Sequence, residues 1–267
     1  MIKTNFHTHT TFCDGKNTAE EMVLSAIDLG FTALGFSGHS QIPTSCWSMT
    51  KEKEIAYYKE ITSLKQKYQD KIKLFCGIEQ DMVSPPFMFD YDYVIGSKHR
   101  VKVNGEYYGI DSSRDSCRQF IKELFGGSFE KYAKVYYEDL VNVVNVTKAD
   151  IIGHVDLITK FCEVDNITLT DEYYRYAEDA VKQLVKEGKP FEINTGAIGR
   201  GYRTTPYPDK KLLKIIFEEG GNIMINSDCH HKDKLDCGYD LAQGLAKEIG
   251  FTKRAIITEK GVEYVEL

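Results

Sequence analysis

Short apolar runs alternate along the chain with longer segments whose apolar residues recur at helical spacing. The first pairs are TNFHTH with NTAEEMVLSAIDLG and TALGFSGH with EKEIAYYKEITSLKQKY, followed by IKLFCGIE and, after a loop, YVIGSKH. Later pairs begin with IIGHVD, FEINT and NIMINSD, and each of their helices ends at a glycine, which suits a C-terminal cap. About seven β/α units of this kind predict a mostly parallel sheet, either closed as a barrel or left open.

The alternation is interrupted over residues 100–149. Here VKVNGEYYGI carries Asn104-Gly105 between alternating apolar positions, which predicts a β-hairpin, and two helix-like stretches follow, DSCRQFIKELFG and SFEKYAKVYYEDLVNVVNVTK. We interpret this segment as an insertion beside a strand end, a usual place for substrate contacts. Because no Pro-rich or Ser-rich linker, low-complexity tract or repeat divides the chain, residues 1–267 are expected to form a single domain. The terminal AIITEKGVEYVEL predicts a second hairpin that turns at Lys260-Gly261.

Composition argues against several classes of function. The 34 basic and 40 acidic side chains give a net charge of -6, which argues against binding to a nucleic acid backbone. No segment has the roughly 18 uninterrupted apolar residues of a membrane span, and the opening MIKTNF lacks the apolar core of a signal peptide. Seven cysteines without a CxxC pair indicate reduced thiols. We therefore expect a cytoplasmic protein with neither a nucleic acid nor a membrane partner, and no pattern specifies an oligomeric state.

Coordinating side chains follow the predicted strands. His7 and His9 are two residues apart on the first strand, so alternation directs both imidazoles to one face. The other strands are followed in turn by His39, Glu79, His99, His154, and Asp228 with His230. A single histidine beside an apolar run is more often a hydrogen-bonded structural residue, and His231 is interpreted in that way. Structural histidines have no reason to prefer one end of every strand, however, and in a parallel barrel those ends share the rim where active sites lie.

The types of ligand discriminate among metals. Neutral imidazoles and carboxylates without a thiolate cluster favour zinc, manganese or iron(II) over magnesium and calcium. A lone cation needs three or four protein ligands. The candidates exceed that number, so two or three divalent ions are predicted to share them: His7, His9, Asp14, His39, Glu79, His99, His154, Asp228 and His230.

The order of these motifs resembles that of the PHP (polymerase and histidinol phosphatase) superfamily. HTHT is followed by DG, GHS, an isolated glutamate after a strand, GSKH, GHVD and SDCH, and the resemblance extends from Phe6 to about His230. GSKH, NTGAIGRG and the chain length make the sequence most similar to the histidinol-phosphate phosphatase branch. The resemblance implies an α/β fold, a distorted (β/α)7 barrel, with a trinuclear metal site. It assigns His7, His9, Glu79 and Asp228 to one metal, Glu79, His99 and His154 to a second, and Asp14, His39 and His230 to a third. Cys13 stands where the family commonly has serine, without removing a ligand.

The function implied is that of a metal-dependent phosphomonoesterase. It would hydrolyse L-histidinol phosphate to L-histidinol and phosphate in histidine biosynthesis, by attack of a metal-bridging hydroxide. Arg200 in NTGAIGRG is the first candidate to orient the phosphate, since a guanidinium matches that group, and Arg114 and Lys98 are the second and third. Each is alternatively a solvated surface charge. Asp156, two residues after His154, is a candidate proton donor or orienter of a ligand, or else an ordinary helix-start carboxylate.

Other functions stay open at this point. The metal core fixes the reaction but not the alcohol, so a phosphatase for another small ester or for phosphotyrosine is the first alternative. A non-catalytic metal-binding regulatory domain is the second, although the complete ligand set argues against it. A nuclease acting on DNA ends is the third. The insertion offers Glu106, Tyr107, Tyr108 and Asp111 to the amine and imidazole of the substrate, with none favoured.

Overall fold

A computed structural model describes residues 2–267 of the chain. The strands are β1 (Thr4–Asn5), β2 (Ala33–Phe36), β3 (Lys73–Asp81), β4 (Tyr93–Ser97), β5 (Arg100–Val103), β6 (Glu106–Gly109), β7 (Ile151–Ile152), β8 (Phe191–Asn194), β9 (Ile223–Asn226), β10 (Lys253–Thr258) and β11 (Gly261–Glu266). The α-helices are α1 (Ala19–Asp28), α2 (Lys51–Lys67), α3 (Arg114–Phe125), α4 (Phe129–Leu140), α5 (Val143–Thr147), α6 (Asp171–Val185), α7 (Gly196–Gly199), α8 (Lys210–Glu218) and α9 (Tyr239–Ile249). Short 3-10 helices lie at Leu157–Thr159 and Lys232–Lys234.

Seven parallel strands form the main sheet in the order β1, β2, β3, β4, β7, β8, β9. The two outer strands approach each other just beyond their ends, where the His9 backbone N–H donates to the Cys229 carbonyl at 3.0 Å. Thr8 and Cys229 form a parallel bridge there, so the sheet curves into a nearly closed barrel. The predicted distorted seven-stranded β/α barrel is confirmed.

Aromatic side chains fill part of the barrel interior. Phe6, Phe75 and Tyr93 pack with aliphatic residues of the other strands and of β10. The Tyr93 hydroxyl donates to the Phe36 carbonyl at 3.0 Å, which satisfies a polar atom that would otherwise be buried without a partner. Gly77 makes room for this ring, since a Cβ there would lie 2.3 Å from Tyr93 Cζ. The apolar packing leaves the ends of the strands to polar side chains.

The segment between β4 and β7 departs from the β/α alternation as expected. β5 and β6 pair antiparallel around Asn104 and Gly105, whose φ angles of 52° and 89° suit the tight turn that Asn-Gly favours. Helices α3, α4 and α5 follow, so the second helical stretch read from the sequence is divided at Val141 and Asn142. β10 and β11 form the C-terminal hairpin. Within residues 2–267, no helix combines the length and apolarity needed to cross a bilayer.

Candidate metal centre

The side chains proposed from the sequence as metal ligands lie together at the carboxyl end of the barrel. They fall into four overlapping groups whose potential ligand atoms lie within 4.8 Å of one another. The groups are His9 with Asp14, His39 and His230; His7 with His9 and Glu79; His7 with His154 and Asp228; and His39 with Glu79 and His99. Each of the nine residues belongs to at least one group, so the fold brings the whole set together.

Glu79 lies at the centre of this cluster, at the buried end of β3. One of its carboxylate oxygens, Oε2, lies 2.7 Å from His39 Nδ1. The other, Oε1, lies 2.9 Å from His154 Nε2 and 3.4 Å from His99 Nε2. Because imidazoles approach both oxygens from different strands, a cation bound to each oxygen would share this carboxylate.

Several buried atoms of the cluster have no hydrogen-bond partner among residues 2–267. They include His7 Nε2, His9 Nε2 and Glu79 Oε2. Each has a polar neighbour that lies close but without hydrogen-bond geometry. Glu79 Oε2 lies 2.7 Å from His39 Nδ1, His9 Nε2 lies 3.1 Å from Asp228 Oδ1, and His7 Nε2 lies 3.4 Å from Glu79 Oε2. Buried polar atoms are normally satisfied. Lone pairs that converge without bonding to one another fit a shared divalent cation, and the imidazole and carboxylate donors suit zinc, manganese or iron.

Charges within the cluster set its protonation states. Burial, with His230 and His39 nearby, lowers the pKa of His9 to about 3, so this imidazole is neutral. Burial opposes ionisation of Glu79, but the charges of His39 and His7 outweigh it and hold the pKa of this carboxyl well below its ordinary value. A neutral imidazole and an ionised carboxylate are the forms that bind a metal.

Two buried carboxylates hold imidazoles of the cluster by their Nδ1 atoms, and neither was predicted from the sequence. Glu192 on β8 lies 2.6 Å from His7 Nδ1, and Asp81 at the end of β3 lies 3.0 Å from His99 Nδ1. Such bonds fix the tautomer that leaves Nε2 free for a metal. Burial disfavours the charged imidazole of His7, but Glu192 and its neighbours outweigh this effect and raise its pKa well above the ordinary value. An ion that binds Nε2 must therefore displace a proton.

Arg200 reaches the cluster from the short helix α7 after β8. Its Nη2 lies 3.2 Å from Asp228 Oδ2, and its Nη1 lies 3.0 Å from His230 Nδ1. Gly196 permits this approach, because a Cβ there would lie 2.9 Å from Arg200 Nη2 and 2.8 Å from Asp228 Oδ2. Arg200 also lines the cavity above the cluster.

The other three candidates lie elsewhere. Arg114 begins α3 and turns to the surface, where it pairs with Asp165. Lys98 is buried on the opposite side of the strand end from His99 and pairs with Asp139. Asp156 is buried and accepts a hydrogen bond from the Asp209 backbone N–H at 3.0 Å. None of the three lines the cavity, so the structure gives no geometric support to their proposed contacts with substrate.

The cavity over the cluster has a volume of about 590 Å³, within the range of small-molecule sites. Its lining includes Trp47 and Lys160, which were not predicted from the sequence as site residues. The Lys160 ammonium donates to Asp111 Oδ2 at 3.0 Å, and Asp111 and Ser112 bring the inserted segment into the cavity wall. Trp47 lies in the loop after β2. Neither position has a periodicity that distinguishes it from other loop residues.

Comparisons with known proteins agree with this arrangement. A Schizosaccharomyces pombe protein named "Probable histidinol-phosphatase" is 26% identical over 96% of this chain and 89% of its own length. The histidinol-phosphatase of Bacillus subtilis is 22% identical over 90% of this chain and 98% of its own. A solved structure of histidinol phosphate phosphatase from Lactococcus lactis, complexed with zinc, L-histidinol and phosphate, has a TM-score of 0.73 at 21% identity and covers 98% of both chains, which shows a common fold.

The family model described as the PHP domain matches residues 5–196. This range contains seven of the nine clustered side chains. It also contains six of the seven barrel strands, although the first residue of β1 lies just outside it. Asp228 and His230 lie after the range, beyond the end of β9. The chain belongs to the PHP domain family.

Proposed function

We propose that this protein hydrolyses L-histidinol phosphate to L-histidinol and inorganic phosphate, a step of histidine biosynthesis. The observation that carries the proposal is that nine imidazole and carboxylate side chains form overlapping groups at a cavity of small-molecule size, and that within each group the ligand atoms lie within 4.8 Å of one another. Relatives that are named histidinol-phosphatases match the chain over nine-tenths of its length or more, which supports the choice of this alcohol over other phosphate esters. In this proposal residues 1–267 act as one catalytic domain, with residues 100–149 as an insertion.

Two or three divalent ions would occupy the cluster, zinc first among them. The proposed division places His7, His9, Glu79 and Asp228 on one ion, Glu79, His99 and His154 on a second, and Asp14, His39 and His230 on a third. When bound, such ions supply an acidified water as nucleophile and neutralise the phosphoryl oxygens. The orphaned atoms His7 Nε2, His9 Nε2 and Glu79 Oε2 support this occupancy.

The side chains of this protein then position the ester. The guanidinium of Arg200 presents two N–H groups toward the cluster and would orient the phosphate through bidentate hydrogen bonds. Lys160, whose ammonium is held by Asp111 on another wall, would add a second positive charge. Asp156 is buried and does not line the cavity, so in this proposal the leaving oxygen would take its proton from another donor.

The experiment is a comparison of three substrates by zinc-loaded protein. L-Histidinol phosphate, a phosphotyrosine peptide and single-stranded DNA are assayed for released phosphate or nucleotide, beside the Glu79→Ala variant and the matched surface variant Glu219→Gln. We expect turnover of L-histidinol phosphate to exceed that of the peptide by at least about 100-fold, and Glu79→Ala alone to abolish it. Equal turnover of the peptide, or full activity of Glu79→Ala, would refute the proposal.

A further inference from the structure

The loop after β2 is built to hold one aromatic ring over the cluster. It closes on itself, because the Met49 backbone N–H donates to the His39 carbonyl at 3.2 Å and the Ile42 N–H donates to Ser48 Oγ at 3.1 Å. Ile42, Ser48 and Met49 are buried. The neighbouring Trp47 is left partly exposed and lines the cavity. Part of the indole surface is therefore open to the cavity.

Trp47 and Arg200 lie on different flanks of the cluster. The Trp47 ring contacts His39 edgewise, with centroids 4.6 Å apart. The His9 ring lies between His39 and His230, with centroids at 4.3 Å and 4.1 Å. Arg200 bonds to His230 beyond it. If the phosphate of a substrate bonds to Arg200, the other half of the substrate can therefore contact the indole of Trp47.

We propose that Trp47 recognises the planar imidazole ring of the alcohol by stacking against it, and so determines specificity. The inference rests on the proposed function, which supplies an alcohol that carries such a ring. Among residues 2–267, Trp47 is the only Trp, Tyr or Phe side chain that lines the cavity. Tryptophan offers the largest π face, and it binds an imidazole in either protonation state, by stacking or by a cation–π contact.

A purely positioning role is the competing explanation. The centroid of the Trp47 ring also lies 5.5 Å from that of the His99 ring, so Trp47 contacts two proposed metal ligands, His39 and His99. If it acted only through them, its loss would change the metal content and would lower the hydrolysis of every phosphate ester alike. Recognition of the substrate ring instead predicts an effect that depends on whether the substrate has a ring.

The test compares two esters. L-Histidinol phosphate carries the imidazole, and the O-phosphate of 2-aminopropan-1-ol has the same amino alcohol without it. In zinc-loaded Trp47→Leu we expect the ratio of kcat/KM for the first ester over the second to fall about tenfold, mainly through KM, the size of one stacking contact. Trp47→Phe should keep most of the ratio. Phe87→Leu, which removes an exposed aromatic ring outside the cavity, is the matched control.

The metal content of each variant is measured in the same samples. Unchanged zinc in Trp47→Leu with a reduced ratio supports recognition of the ring. A ratio within twofold of the wild-type value, or zinc loss with equal loss of activity on both esters, would overturn it.

Binding of the free alcohol gives a second readout that does not depend on turnover. Trp47 is the single tryptophan of the chain, so indole fluorescence reports on this position alone. L-Histidinol added to the zinc-loaded protein should change the emission saturably, and 2-aminopropan-1-ol should not. If this response is seen while L-histidinol phosphate is not hydrolysed, the proposed function fails and ring recognition stands. If hydrolysis is seen without the response, ring recognition fails alone.

Discussion

Glu192→Gln is the sharpest test of how the cluster is held. The Glu192 carboxylate is buried and accepts four hydrogen bonds. Oε1 accepts from His7 Nδ1 at 2.6 Å and from Asn226 Nδ2 at 3.0 Å. Oε2 accepts from the His154 backbone N–H at 3.1 Å and from Asn194 Nδ2 at 2.8 Å. Glutamine has the same shape, but its NH₂ group replaces one of the two acceptor oxygens. This NH₂ group would then face the two hydrogen-bond donors that the oxygen had accepted from.

The surroundings decide which way the new amide points. The His154 backbone N–H cannot change, and Asn194 cannot turn over, because its Oδ1 accepts from the Gly196 N–H at 2.8 Å. His7 can change, because its ring has a second tautomer. The glutamine NH₂ should therefore face His7, which makes Nδ1 a hydrogen-bond acceptor and leaves Nε2 as the ring nitrogen that must keep its proton. The Asn226 amide keeps one unsatisfied donor, since its Oδ1 accepts from the Phe6 N–H.

Two magnitudes follow. One buried unsatisfied donor costs about 1–3 kcal/mol of the free energy of unfolding of the metal-free protein. A proton on His7 Nε2 blocks the atom that would bind metal, and loss of such an outer bond weakens metal affinity roughly 10–100-fold. Zinc affinity is measured by competition with a chromophoric chelator and stability by denaturant unfolding, with exposed Glu219→Gln as the control. A Glu192→Gln variant that binds zinc within twofold of wild type would refute the tautomer argument.

Three further outcomes are expected. Arg200→Ala should lower kcat/KM for L-histidinol phosphate roughly 10–100-fold in steady-state assays, the loss of charged hydrogen bonds to phosphate, whereas Arg114→Ala should stay within twofold because that side chain pairs with Asp165. Burial opposes ionisation of Asp111, but Lys160 outweighs it and lowers the pKa to about 2. The ion pair therefore stabilises the fold at pH values above the ordinary pKa near 4, and this stabilisation is lost as the pH falls toward 2. In thermal unfolding, Asp111→Asn should lower the free energy of unfolding by about 1–2 kcal/mol at pH 7, and the difference from wild type should shrink below pH 4. Chelation of the bound metal should abolish hydrolysis and lower Tm, and readdition of zinc should restore both.

The β/α order and the clustered side chains were readable from the sequence, because all of these side chains except Asp14 lie within or directly after an apolar run. The alternation that places His7 and His9 on one face also applies to Lys98 and His99. Since His99 faces the cluster, its neighbour must face away, and Lys98 indeed pairs with Asp139. This candidate could have been rejected from parity alone.

Strand alternation does not apply at Asp156. This residue lies two residues after His154, which on a continuing strand would put both side chains on one face. The backbone instead turns into the 3-10 helix Leu157–Thr159, with φ and ψ of −113° and 33° at Asp156, so parity no longer holds. Glu192 was missed for another reason: FEIN is read as a buried strand, and only the cost of burying a carboxylate signals that Glu192 must have partners.

The concentration of donors near the amino terminus follows from how the barrel closes. Within residues 2–267, β1 and β9 are joined by backbone bonds only beyond their ends, at Thr8 and Cys229. Side chains join them elsewhere, as where Asn5 Nδ2 donates to Ser227 Oγ at 2.7 Å. His7 and His9 flank Thr8 on one side of this seam, and Asp228 and His230 flank Cys229 on the other. His9 Nε2 lies 3.1 Å from Asp228 Oδ1. A cation held by ligands from both sides would tie the first strand to the last, so the same ion that serves the reaction would also complete the barrel.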